Sequence, residues 1–261
     1  MRLPPGTASA CAVTFDFDAE EVWLGEDPAN ADRPGVLSQG RYGARVAVPL
    51  ILEELRRAEV LSTFFVPGRV AERHPERVEA IVAQGHELAH HGYRHVSPTR
   101  LSADQEADEF GRALAVLQRF QPVIRGYRSP SWDFSPHTLR ILAAHRIVYS
   151  SNLMDDIRPY RHPDHPVVEL PVHWTLDDAP HFWFAGDVWS KSISAPDRVA
   201  QIWEGELQGI RELGGACILT MHPQIIGRPS RLPLLGRFIA RARASGDVWL
   251  ATCADIAAAV P

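Results

Sequence analysis

Short apolar runs rich in β-branched and aromatic residues alternate along this chain with longer segments whose apolar positions recur every three to four residues. The first pattern predicts buried strands and the second amphipathic helices. Strand-like runs fall at residues 11–15, 62–67, 86–91, 123–128, 147–154, 167–174, 216–222 and 247–253. Between them, residues 43–60 predict a helix with the stripe Ala47, Ile51, Leu55 and Ala58 facing inward and Arg56 and Arg57 outward. A second helix over 77–84 is ended by Gly85. A third opens with Ser102 and Gln105 in capping-box spacing and buries Ala107, Phe110, Leu114 and Leu117. Further helices open at Ser135-Pro136 and span 202–213 and 232–244, while residues 24–40, rich in Gly, Pro and Asp, read as a loop. This alternation of about seven βα units predicts an α/β fold, a distorted (β/α)7-type barrel with a mainly parallel sheet. No fixed-period repeat and no linker interrupts it, so residues 1–261 are expected to form a single catalytic domain.

Composition narrows the function classes. The 261 residues are 45% hydrophobic with a formal net charge of −5, an ordinary globular balance. The arginines are spread over helices rather than gathered in a stripe, which argues against nucleic acid as a partner. Cys11, Cys217 and Cys253 each sit in an apolar run, so free buried thiols are expected. Neither a signal-peptide core nor a membrane-length apolar stretch is present, and a cytoplasmic protein without membrane association is the expectation. The oligomeric state stays open, a homo-oligomer included.

Two clusters of polar residues interrupt this pattern. In Thr14-Phe15-Asp16-Phe17-Asp18-Ala19-Glu20, alternation along a strand points Asp16 and Asp18 to the same side. Two like charges on one face of a buried element are costly unless a cation or a task offsets them. The second cluster, residues 85–95, holds His86, His90, His91 and His95. A lone histidine is ordinarily a surface or capping residue, and four within ten positions argue against that. His86-Glu87-x-x-His90 matches the zinc-protease pattern, which needs one helix to carry both histidines. Gly85 and Gly92 flank the run, and glycine inside a helix costs about 1 kcal/mol, so a strand followed by a turn is the better reading. On that reading His91 and His95 lie at the C-terminal end of a barrel strand, as Asp18 does, where barrel active sites gather. Two imidazoles and one carboxylate supply three ligands for a zinc ion with one position open. Asp16 is then free to act as a base toward water.

These residues resemble the polysaccharide deacetylase superfamily (carbohydrate esterase family 4 and relatives). Residues 14–18 resemble its first motif, His91–His95 its His-x-x-x-His motif, Tyr127–Trp132 its arginine-bearing turn, and Ile218–Pro223 its final strand ending in histidine. The four occur in the family's order, each at the end of a predicted strand. The resemblance implies Asp16 as base, Asp18, His91 and His95 as ligands of Zn2+ or another divalent metal, and His222 as general acid. It implies also that Arg128 pairs with Asp16, which suits physics because an adjacent guanidinium favours the charged carboxylate. One of Asp155 and Asp156 is a candidate to orient His222. Phe17 between the two aspartates, and Gly92 after His91, are features of a subgroup with cytoplasmic peptidoglycan-deacetylase-like proteins, cyclic imidases and allantoin-hydrolysing relatives. Some of that subgroup work without metal; retention of all three ligand types here favours it.

The expected activity is metal-dependent hydrolysis of a non-peptide amide bond. The expected substrate is a small N-acyl compound such as an N-acetylated amino sugar, with a cyclic imide or ureide as the alternative. A zinc protease through His86 and His90, and an inactive binding module on the same scaffold, are the more distant alternatives. Trp23, Tyr93, Trp132 and Trp174 are candidate substrate-binding residues, since flat aromatic faces suit sugar and imide rings. Trp183 and Trp249 read as core. A backbone N–H near 127–130 or at Tyr93 is the expected oxyanion donor.

Overall fold

In the computed structural model, which describes residues 1–184 and 192–261, nine strands form one curled sheet. They are β1 (Ser9–Asp16), β2 (Thr63–Val66), β3 (Glu87–His90), β4 (Gly126–Tyr127), β5 (Tyr149–Ser150), β6 (Tyr160–Arg161), β7 (Val168–Glu169), β8 (Ala216–Met221) and β9 (Val248–Leu250). Their spatial order is β6-β7-β5-β4-β3-β2-β1-β8, with β9 beside the start of β1. Every pairing is parallel except β6 with β7. The sheet is a half-barrel of the (β/α) type, because each parallel step needs a crossover and the helices that supply it cover the outer face.

Alternation sorts the strand residues onto two faces. Cys11, Val13, Phe15, Phe64, Val66, Leu88, Leu219 and Met221 face the helices in the larger core cluster. Ala10, Ala12, Phe65, Ala89, Tyr149, Val168, Leu170, Ala216 and Ile218 fill the inside of the curl. That inner filling stops short of the C-terminal strand ends, where polar residues take over. Cys11, Cys217 and Cys253 are buried free thiols, as their apolar settings predict.

Three local expectations change. Residues 24–40 are helical rather than a loop: Glu21–Glu26, a 3-10 turn over Pro28–Asp32 and a helix over Pro34–Tyr42. The prolines misled because both occupy first-turn positions, where a missing N–H costs nothing; Asp27 also caps the turn by accepting the Ala29 N–H at 2.9 Å. A π-turn over Gly43–Ala47 then carries the chain into the helix Val48–Ala58. In the helix Ala103–Leu117 the capping box forms as predicted, yet Ala107 is exposed and Leu114 half-buried. The buried stripe is Glu106, Glu109, Phe110, Ala113, Val116 and Leu117, since both glutamates turn inward to bond. Glu106 accepts from Ser135 and Thr138, and Glu109 from Arg94 at 2.6 Å. The run 123–128 contributes only two strand residues, its start being exposed at Val123.

Candidate active site

Asp16 closes β1, and its parity puts it inside the curl with Thr14. Asp18 follows two residues later, held by Ala19 in a left-handed conformation with φ +45°. His91 leaves β3, Arg128 leaves β4 and His222 leaves β8, so four strands deliver these groups to one end of the half-barrel. His95 sits in the loop after β3, also left-handed at φ +57°. Such conformations in non-glycine residues cost energy and persist where the surroundings impose them. Two glycines show what imposes them. A Cβ on Gly40 would overlap the backbone of Ala19, and one on Gly25 would overlap the carbonyls of Arg94 and His95. Backbone therefore packs directly on backbone behind both loops.

Arg128 is fully buried and donates to Asp16 Oδ1 at 2.7 Å, to Thr14 Oγ1 at 3.0 Å, and to the Ser151 hydroxyl at 3.0 Å and carbonyl at 3.3 Å. Its guanidinium also lies 4.0 Å above the Phe65 ring. One rigid fork thus fixes Asp16 from a distant strand.

Asp18 Oδ1 stands 3.3 Å from His91 Nε2 and 3.5 Å from His95 Nε2. Both Asp18 oxygens are buried without a hydrogen-bond partner. Burial pushes this carboxyl up, but His95, His91 and His222 outweigh it and leave it at about 2. Burial lowers His95 to about 4 against the pull of Asp18, so its ring is neutral at pH 7. His91 donates from Nδ1 to the Arg128 carbonyl at 2.8 Å, which aims Nε2 at Asp18. A carboxylate with orphaned oxygens beside two imidazole Nε2 atoms is the donor set of a divalent-cation site, and these residues fit such an ion.

Across the cavity, His222 Nε2 lies 3.8 Å from Asp18 Oδ2. Its Nδ1 bonds Asp178 Oδ1 at 2.7 Å, and its backbone N–H bonds Asp178 Oδ2 at 3.0 Å. Burial would lower this imidazole, but Asp177, Asp178 and Asp18 raise it well above the usual range. Burial raises Asp177 to about 7 against the pull of His222. The carboxylate behind His222 is thus Asp178, not Asp155 or Asp156. Asp155 accepts from the Tyr160 hydroxyl, and Asp156 accepts the N–H groups of Ile157 and Arg158 at the surface. Asp178 arrives because Asp177 bridges Thr220 of β8, a contact between segments over forty residues apart that no local pattern reveals. The Asp177-Asp178 doublet was the available signal.

These groups open into a cavity of about 360 Å³ lined also by Val22, Pro130, Trp132, Trp174 and Trp183. Trp132 and Trp174 meet at a tilt of 38° with ring centroids 4.6 Å apart, and Trp174 is 47% exposed at the mouth. The other two aromatic candidates lie elsewhere. Tyr93 donates to Glu72 at 2.9 Å beneath Arg112, and Trp23 is buried behind the wall, stacked on Trp183. Trp183, expected in the core, lines the cavity instead. Two of the expected oxyanion donors are committed: the Arg128 N–H bonds the His90 carbonyl at 2.9 Å, and the Ser129 N–H bonds Asn152 Oδ1 at 2.7 Å.

The His86-Glu87-x-x-His90 reading loses its geometry. The segment is a strand, so Glu87 turns inward to Thr63 and Tyr149 while His86 and His90 face the helices. His90 stacks on Phe110, and His86 lies against Phe64.

Comparison with known proteins adds a family. A family profile for polysaccharide deacetylase matches residues 41–150, which include His91, His95 and Arg128. The peptidoglycan deacetylase of Helicobacter pylori is 29% identical over 251 residues, covering 85% of each chain. A solved structure from Mycobacterium smegmatis, classed with the polysaccharide deacetylases, is 42% identical with a TM-score of 0.95, covering 100% of this chain and 92% of that one. The structure of an allantoinase, 21% identical with a TM-score of 0.86, covers 98% and 91% and shares the fold.

Proposed function

The chain belongs to the polysaccharide deacetylase family, and on that premise we propose that it is a metal-dependent hydrolase of a non-peptide carbon–nitrogen bond. Its substrate on this reading is an N-acetylated amino sugar or a related small N-acyl compound. The observation that carries the proposal is the pairing of two differently treated carboxylates. Asp16 is clamped by Arg128 at 2.7 Å, while Asp18 is left with two buried, unpartnered oxygens between His91 and His95. Asp18, His91 and His95 would hold the divalent ion, zinc being our choice; such an ion polarises the scissile carbonyl and makes water more acidic.

The protein's own groups handle the protons. Asp16, fixed in orientation by Arg128, accepts a proton from the attacking water. His222 has its Nδ1 engaged by Asp178, so Nε2 faces the cavity and delivers a proton to the departing nitrogen. The tryptophans exclude water and seat the substrate face. A cyclic imide or ureide is the second reading, favoured by the compact, tryptophan-walled shape of the cavity.

The test is metal analysis of the purified protein followed by an amide panel: chitooligosaccharides, N-acetylglucosamine, succinimide, hydantoin and allantoin. Hydrolysis of an acetamide or an imide identifies the substrate class. Asp16→Asn should keep metal and lose turnover, while Asp18→Asn should lose both. Full metal and full activity in Asp18→Asn would sink the assignment.

A further inference from the structure

A second cavity, of about 690 Å³, lies behind the wall of the first, and no step of the proposed reaction uses it. The helix Glu21–Glu26 separates the two: Val22 lines the first cavity, Leu24 and Gly25 the second. The loop after β3 is shared in the same way, His95 facing one side and Arg94 and Val96 the other. Four arginines line the second cavity, Arg69, Arg73, Arg94 and Arg100, against two glutamates, Glu20 and Glu26. Glu20 is already engaged by His74 at 2.9 Å. The lining is therefore basic in a protein whose net charge is −5.

Two of the arginines, Arg73 and Arg94, are also held in place from below. Arg73 rests on Glu21 at 2.8 Å, and Glu21 is wholly buried with neither oxygen hydrogen-bonded. Arg94 donates from Nε to buried Glu109 at 2.6 Å, leaving its terminal nitrogens unused by that bond. Arg69 comes no closer than 3.8 Å to a carboxylate, and Arg100 has no side-chain partner among the described residues. Guanidiniums braced on one edge and open on the other are preorganised for an oxyanion, because the ordering cost is met before the ligand arrives. Leu24, Pro28, Ala31 and Leu37 supply the apolar part of the lining.

We propose that this cavity binds an anionic small molecule through a phosphate or carboxylate group, with an apolar body against the leucine side. The site is separate from the hydrolytic cavity and does not depend on the reaction assigned there.

The experiment is calorimetric titration of the full chain with inorganic phosphate and with citrate at low ionic strength. At least one should bind saturably and weaken as salt is added. Arg100→Gln removes an exposed side chain with no partner among the described residues, and Arg69→Gln a half-buried one that comes only within 3.8 Å of Glu21; a thermal melt checks that both variants fold. Each should weaken binding about tenfold, in line with loss of one charge-assisted bond. The preferred probe assigns the group as phosphate or carboxylate. Absence of saturable binding by both probes, or equal binding in wild type and both variants, would overturn the proposal; the latter would place the anion at the metal-ligand cluster instead.

Discussion

Arg128 meets Asp16, Thr14 and Ser151 at once from inside the curl. Asp178 does for His222 what Arg128 does for Asp16, with opposite charge. Its carboxylate raises the imidazole, so Asp178→Asn should bring the His222 titration down. An acid that deprotonates earlier narrows the active range from the alkaline side. The descending limb of the pH–kcat profile is therefore expected to move to lower pH, while the ascending limb stays. An unmoved descending limb would show that His222 is not the proton donor. The cavity wall permits a second residue-level expectation. Trp132→Ala and Trp183→Ala should raise KM about tenfold or more, whereas Tyr93→Phe should leave KM unchanged, because its hydroxyl faces Glu72. Steady-state kinetics on the substrate identified by the panel decides this.

At the level of elements, β3 divides its histidines by face. His91 points inward to the ligand group, and His90 points outward, where both ring nitrogens are satisfied only in the neutral form. Nε2 meets the Phe110 carbonyl at 3.0 Å, and Nδ1 accepts the Gly92 N–H at 3.1 Å. Burial holds this ring at about 3, against 6.5 for an ordinary histidine. Above about 6.5 neither folded nor unfolded chain carries the proton, and the residue has no pH effect. Between about 6.5 and 3 the unfolded chain takes up a proton that the folded chain refuses, so stability falls as pH falls. His90→Gln should flatten this acid-side loss, as measured by urea unfolding at pH 7 and pH 5, even if it lowers stability at pH 7. An unchanged difference between the two pH values would remove His90 from the account. The same element shows why a four-letter motif misleads: His-Glu-x-x-His has a different meaning at a period of two than at 3.6.

For the whole molecule, the ligand group joins two separate strand ends, so an ion bound there ties β1 to the loop after β3. Binding to the folded chain alone stabilises it by mass action, about 2.7 kcal/mol at a hundredfold excess over Kd. Chelation should lower Tm and zinc should restore it, and Asp18→Asn should show neither effect in a thermal melt. A Tm indifferent to chelator in metal-loaded protein would argue against a site formed only on folding.

Much of this was written locally. Short apolar runs marked eight of the nine strands, all but β6, and alternation along the first put Asp16 and Asp18 on one side. The capping box at Ser102 and Gln105, the glycine stop at Gly85, and the buried thiols are likewise properties of neighbouring residues. Asp16, Asp18, His91 and His95 could be named because they lie at the ends of two strands, and parallel strands bring like ends together, while Arg128 and His222 were implied by the family resemblance. What the chain could not disclose were contacts made across the fold. Only the bridge from Asp177 to Thr220 selects Asp178 over Asp155 and Asp156, because hydrogen bonding between distant segments leaves no periodicity. Only packing turns Glu106 and Glu109 inward, sends Tyr93 to Glu72 and exchanges Trp23 for Trp183 at the cavity wall. The direction of a polar or aromatic side chain outside a strand is set by whichever partner the tertiary structure brings within reach.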